Sequence, residues 1–160
     1  MSFDTAFDQL LGLEGKYSDD PNDPGGATMW GITERVARAH GYTGAMQNLP
    51  RDTAKEIYLS YYWSACGCDQ MPAKLADMVF KQSVNEGVPK VKRMLQQALG
   101  VTVDGNIGPQ TIHAANVYNP ADELVALFLA ECLLDYTYDA GFSEYGKGWF
   151  KRVILTALEG

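Results

Sequence analysis

The sequence predicts a mainly α-helical fold with one small irregular or β element around residues 15–32. Three observations point there. Apolar residues recur at helical spacing through most of the chain, and short Gly- and Pro-containing breaks punctuate those runs. The stretch from Ser18 to Gly31 gathers Pro, Gly, Asp and Asn, a composition that favours turns and a short hairpin over a helix.

Phe3, Phe7, Leu10 and Leu11 fall on one helical face with Asp4, Asp8 and Gln9 between them, so an amphipathic helix is expected to end near Glu14-Gly15. Thr33 suits the N-cap of a short helix running to His40. Thr53 with Glu56 has the pattern of a capping box opening a helix that carries Ile57, Tyr58, Tyr61 and Tyr62. Further helices are marked by Leu75, Met78 and Val79, by Val91, Met94, Leu95 and Ala98, and by the run from Asp122 to about Tyr138. Between the last two, Val103 to Thr111 reads as a tight turn whose Pro109 starts another helix. Trp149, Phe150, Val153, Ile154 and Leu158 define the final one.

The 160 residues are 46% hydrophobic and 21% charged, enough apolar content for one domain to bury a continuous core. A net charge of -7 repels phosphate backbones and anionic lipid headgroups, so nucleic acid and stable membrane association are not expected. Leu124 to Ala130, the most apolar stretch, is too short to span a bilayer. The N-terminus lacks the basic start and apolar run of a secretory signal. Cys66, Cys68 and Cys132 specify no disulfide framework and no metal site, and read as small semi-buried thiols; no cofactor is implied.

Glu14 follows Leu10, Leu11 and Leu13, so its carboxyl is expected where a core-packed helix meets an open turn; desolvation there would favour the protonated form a general acid needs. By itself Glu14 reads as an ordinary helix-end acid. The turn that follows supplies Asp23 and Thr28, and its prolines and glycines allow a carboxylate and a hydroxyl to face the glutamate across a cleft. Two carboxyl groups flanking a glycosidic bond are what sugar-polymer hydrolysis requires. Local turn capping is the competing reading of Asp23. Tyr17, Trp30, Tyr61, Tyr62 and Trp63 could stack on sugar rings, with core packing the default for the last three.

Glu14-Gly15-Lys16-Tyr17, Asp20 to Thr28 and Gly31-Ile32-Thr33 resemble the signature of glycoside hydrolase family 108, phage-type N-acetylmuramidases that cut peptidoglycan. Tyr62-Trp63, Leu75-Ala76-Asp77, Val84 to Gly87, Leu95 to Gly100, Val103 to Thr111 and Gly148 to Arg152 resemble the predicted peptidoglycan-binding region that accompanies it. The resemblance implies a single lysozyme-like domain over 1–160, with the catalytic glutamate and glycine-rich turn in 1–70 and the helical peptidoglycan-binding region in 71–160. It implies Glu14, Asp23 and Thr28 as catalytic residues, and Tyr17, Trp30, Tyr62 and Asn85 as substrate-binding ones.

Three positions depart from the family pattern: Lys16 stands in place of a second glycine, Met29 in place of a polar residue, and Lys81 in place of an acid. If the acid at that last position helps to bind or position the sugar, Lys81 alters or removes activity; if that acid is structural, Lys81 only changes a surface pair. The function implied is that of an endolysin cleaving the β-1,4 bond between N-acetylmuramic acid and N-acetylglucosamine. A lytic transglycosylase and a non-catalytic peptidoglycan-binding or virion protein remain as alternatives. The partner implied is bacterial peptidoglycan. The expected setting is a monomer held in the host cytoplasm until a holin-type partner permeabilises the membrane, then acting at the periplasm and cell wall.

Overall fold

Phe7 shows how the first helix is held. In the computed structural model, which describes residues 2–11, 17–19 and 26–159, helix α1 (Phe3–Leu11) buries Ala6 and Phe7 completely. Full burial of such a ring contributes about 1.5–3 kcal/mol. The chain forms two compact units, Ser2–Tyr61 and Tyr62–Gly160.

In the first unit, Phe7 meets the Tyr58 ring at 5.5 Å, and the Arg51 guanidinium lies 5.0 Å from its centroid. Arg51 also pairs with Asp8, and Lys55 with Asp4, both at 2.6 Å. The acids between the apolar residues of α1 therefore face the basic residues of α3 (Arg51–Ile57). Strands β1 (Thr28–Met29) and β2 (Ile32–Thr33) form an antiparallel hairpin with Thr28 opposite Thr33 and Met29 opposite Ile32. Helix α2 (Glu34–Ala39) follows, and Thr33 caps it as expected, its hydroxyl accepting from the Val36 N–H at 3.4 Å.

Helix α3 starts earlier than the Thr53–Glu56 pattern suggested. Its N-cap is Pro50, in an extended conformation, and Thr53 lies inside the first turn with no capping bond. Proline has no N–H to place in a helix and its fixed φ favours the start, so it outcompetes a threonine three residues on. After Ile57 the backbone widens into a π-helical stretch, Tyr58–Ser64.

In the second unit, α4 (Ala73–Glu86) is the central helix, with every residue from Leu75 to Ser83 buried. Helices α5 (Val88–Ala98), α7 (Ala121–Tyr136) and α8 (Phe142–Glu159) pack against it, and α5 and α7 against each other. Val91, Met94 and Leu95 of α5 and Leu124, Phe128, Leu129 and Cys132 of α7 supply the core, with Trp63 edge-on to Phe80 at 5.5 Å. Helix α6 (Pro109–Val117) begins with proline at its first turn, as predicted.

The loop before α6 is organised by the buried Gln96 of α5. Its amide nitrogen donates to Asp104 Oδ1 at 2.8 Å and to the Asn106 carbonyl at 3.0 Å, while its oxygen accepts from the Gly105 N–H at 2.7 Å. The Gln96 bond to its Oδ1 and the Asn106 N–H hold the Asp104 carboxyl below its ordinary range.

All three cysteines are free and buried, further inside than semi-buried thiols. Burial pushes Cys66 up to about 11 and raises Cys68 and Cys132 further. Among the described residues no helix is long and apolar enough to cross a membrane, and no His/Cys/Asp/Glu group is placed to hold a metal ion.

Lys81 is not part of a surface pair. It is buried on α4, with Nζ 2.8 Å from Oδ2 of Asp77, which is 1% exposed. Removing one member of such a pair strands the other charge in the core. Lys81→Met is therefore expected to lower stability by about 3–5 kcal/mol in urea unfolding, and the double substitution Asp77→Asn/Lys81→Met to cost much less.

Candidate functional site

Of the residues expected to carry chemistry, Tyr17, Thr28 and Trp30 lie in the first unit, and Tyr62 and Asn85 in the second. Glu14, Lys16 and Asp23 lie outside the described residues. On the sequence either side of Glu14, α1 closes at Leu11 and Ser18 pairs with Thr28 in an antiparallel bridge. The Ser18 N–H donates to the Thr28 carbonyl at 2.9 Å and the Thr28 N–H to the Ser18 carbonyl at 2.7 Å. With both backbone groups engaged, the hydroxyl is what half-buried Thr28 can offer a reaction.

The hairpin turn is unusual. Trp30 and Gly31 have φ of 55° and 73°, the left-handed pair that a two-residue hairpin turn of this twist requires. Glycine adopts it without strain, but tryptophan does not. Two bonds hold Trp30 there: its indole N–H donates to the Leu49 carbonyl at 2.8 Å, and its own carbonyl accepts from the Tyr58 hydroxyl at 3.1 Å. The indole N–H is thus already committed to the fold. Strain held by distant tethers is characteristic of sites where a loop must keep one shape.

The other aromatic candidates divide by exposure. Tyr17 is 41% exposed, its hydroxyl 3.3 Å from Asp19 Oδ2, and so keeps a ring face available. Tyr61 is exposed and sits edge-on to the His40 ring at 5.1 Å. Tyr62 is only 7% exposed and Trp63 2%, the latter donating its indole N–H to Asp69 at 2.6 Å, so these two rings offer a ligand little surface.

Asn85 lies in the second unit, exposed at the end of α4, where it lines a cleft of about 240 Å³ with Glu86, Lys90, Tyr136 and residues of α8. Oδ1 of Asn85 accepts from Arg152 at 3.4 Å. The Glu86 side chain is 3% exposed; Lys90 approaches its Oε2 at 3.4 Å and also pairs with Asp135. Burial raises the Glu86 carboxyl above its ordinary range, and the Tyr136 phenol and Lys90 pull it part of the way back. Burial likewise raises Tyr136, reinforced by Glu86. Glu86, Trp149 and Arg152 all stand in the motifs singled out in the sequence, but spacing alone gave them no role because the cleft draws on four separate helices.

The glycosyl hydrolase 108 family model matches residues 7–87, which take in the second half of α1 and the whole hairpin. The chain belongs to this family. A second model, the predicted peptidoglycan domain, matches residues 90–154. The solved structure of Brucella abortus SagA is similar over 98% of this chain and 92% of that one, with 30% identity and a TM-score of 0.89. No curated protein sequence matches the chain significantly. The fold is the mainly α, lysozyme-like one expected, and the family 108 chain is a glycoside hydrolase whose substrate is peptidoglycan.

Two outcomes follow from this geometry. Trp30→Phe keeps the ring but leaves the Leu49 carbonyl without its donor, and should cost about 1–2 kcal/mol of stability by chemical denaturation. Glu86 holds its proton to a higher pH in the folded chain than the ordinary value of 4.5. Its ionisation therefore subtracts stability as pH rises from 4.5 toward the raised value. Glu86→Gln removes that loss, so the variant should gain on the wild type in urea midpoints as pH rises above the ordinary 4.5.

Proposed function

We propose that this chain is a phage-type endolysin, an N-acetylmuramidase that hydrolyses the β-1,4 bond between N-acetylmuramic acid and N-acetylglucosamine. The observation that carries this reading is the family match over residues 7–87, which takes in Glu14, Asp23 and Thr28. Glu14 is the general acid that protonates the leaving oxygen. Asp23 and the Thr28 hydroxyl hold the attacking water or support positive charge at the sugar carbon. Room for a water between the two carboxyl groups gives inversion, whereas direct attack by a closer carboxylate gives retention. Lys16, two residues from Glu14, would lower the acid's pKa if its ammonium pointed at the carboxyl.

Tyr17, Trp30 and Asn85 are the proposed substrate contacts, and buried Tyr62 is assigned to the core instead. The exposed Tyr17 ring supports a stacking role most directly, and tethered Trp30 supports one of holding the turn's shape. The enzyme acts as a monomer. It waits in the host cytoplasm until a holin-type partner opens the membrane, and then reaches the periplasm and wall. The net charge of -7 supports a need for that opening, since anionic headgroups repel the protein.

Glu14→Gln should purify with an unchanged circular dichroism spectrum and release reducing ends from purified sacculi about 10²–10⁴-fold more slowly. Undiminished release would overturn Glu14 as the acid. Mass spectrometry of the wild-type digest should show reducing muramic acid; an anhydro-muramic product would identify a lytic transglycosylase instead.

A further inference from the structure

The cleft of the second unit carries charge that the fold leaves incompletely matched. Arg152 donates to the Asn85 amide oxygen at 3.4 Å and forms no salt bridge among the described residues. Glu86 lines the same cleft with its side chain almost wholly buried, and its Oε1 has no hydrogen-bond partner within bonding distance. Lys90 shares its ammonium between Glu86 Oε2 and Asp135, and the Tyr136 phenol also faces the Glu86 carboxyl, yet neither puts a donor within bonding distance of Oε1. Asp139 adds a second, exposed carboxylate at the rim. The floor includes Tyr136 stacked on Trp149 at 5.1 Å.

A buried carboxylate oxygen and a guanidinium facing one cleft call for a ligand with an ammonium and a carboxylate. The glycan backbone of peptidoglycan consists of N-acetylated sugars and offers no ammonium, whereas its stem peptides carry both groups. The volume, about 240 Å³, lies below the roughly 300–1,000 Å³ of pockets that enclose a drug-sized molecule, and fits one terminal residue better than a disaccharide. Five of the lining residues, from Lys90 to Arg152, fall within the match to the predicted peptidoglycan domain.

We propose that this cleft binds the end of a peptidoglycan stem peptide, its carboxylate on Arg152 and Asn85 and its ammonium on Glu86 and Asp139, against the Tyr136–Trp149 ring pair. The inference rests on peptidoglycan being the substrate and names the part of the polymer this unit holds. It assigns no catalytic step to the cleft. Its role is to make recognition depend on peptide chemistry as well as on the glycan.

The test is an NMR titration of the isotopically labelled full chain with the free tetrapeptide alanyl-γ-glutamyl-diaminopimelyl-alanine and with the same peptide amidated at its carboxylates. In the wild type the Trp149 indole and Asn85 side-chain signals should shift, and amidation should weaken binding about tenfold. Arg152→Gln should bind the free peptide about tenfold more weakly and should not distinguish the two peptides. Binding by the wild type that ignores amidation, an Arg152→Gln protein that still senses it, or stronger shifts of the same signals by uncharged N-acetylglucosamine oligomers would overturn the proposal. If Arg152→Gln does not fold, the wild-type amidation comparison decides alone. Reducing-end release from sacculi is measured separately: peptide binding without release keeps the cleft and removes the muramidase reading, and release without peptide binding does the reverse.

Discussion

The second unit depends on a helix buried over consecutive residues. From Leu75 to Ser83 no turn of α4 faces water, so its polar side chains have to be satisfied within the core. Lys81 pairs with Asp77 Oδ2 one turn apart, leaving Asp77 Oδ1 without a partner among the described residues, and Ser83 donates to the Phe80 carbonyl at 2.7 Å. Gln82, fully buried, finds no partner for either end of its amide among the described residues. Because α5, α7 and α8 all pack against α4, a misplaced charge there would disturb each of them. The same helix ends at Asn85 and Glu86, so the core element also sets one wall of the cleft.

The first unit is governed by a different constraint, the shape of one turn. A hairpin of two-residue strands has too few ladder bonds to fix its own geometry. Its shape is set instead by Trp30's bonds to Leu49 and Tyr58 and by the Ser18–Thr28 bridge. This explains how a tryptophan occupies a left-handed position where glycine would be easier. It also means that Thr28 is oriented by residues far from it in sequence, including one just after α3.

Helix positions were legible in the sequence because periodicity and capping are local: Thr33 and Pro109 each mark their helix start as expected. The start of α3 was misread because Thr53 has the right side chain but Pro50 has the stronger backbone constraint. What local pattern could not reveal was burial. Leu75, Met78 and Val79 marked one apolar face of α4, while the structure buries all of its faces and takes Lys81 inside. Core packing was the default for Tyr61, Tyr62 and Trp63, and the spacing did not separate exposed Tyr61 from its two buried neighbours. Of the candidate residues, the place of Thr28 beside a turn could be read from the Pro- and Gly-rich sequence before it. The Glu86–Arg152 cleft could not, since it exists only once four helices meet.

Gln96 gives the loop from Val103 to Ile107 a meaning that its own residues do not contain. That loop looks self-sufficient in the sequence, a run of turn-forming residues closed by Gly108-Pro109. Yet its backbone is threaded on one amide that belongs to α5 and precedes it in the chain. The structural module is therefore discontinuous. Anyone grafting this motif onto another scaffold would need to carry the last turn of α5 with it, and a family alignment of the loop alone would miss the residue that dictates its conformation.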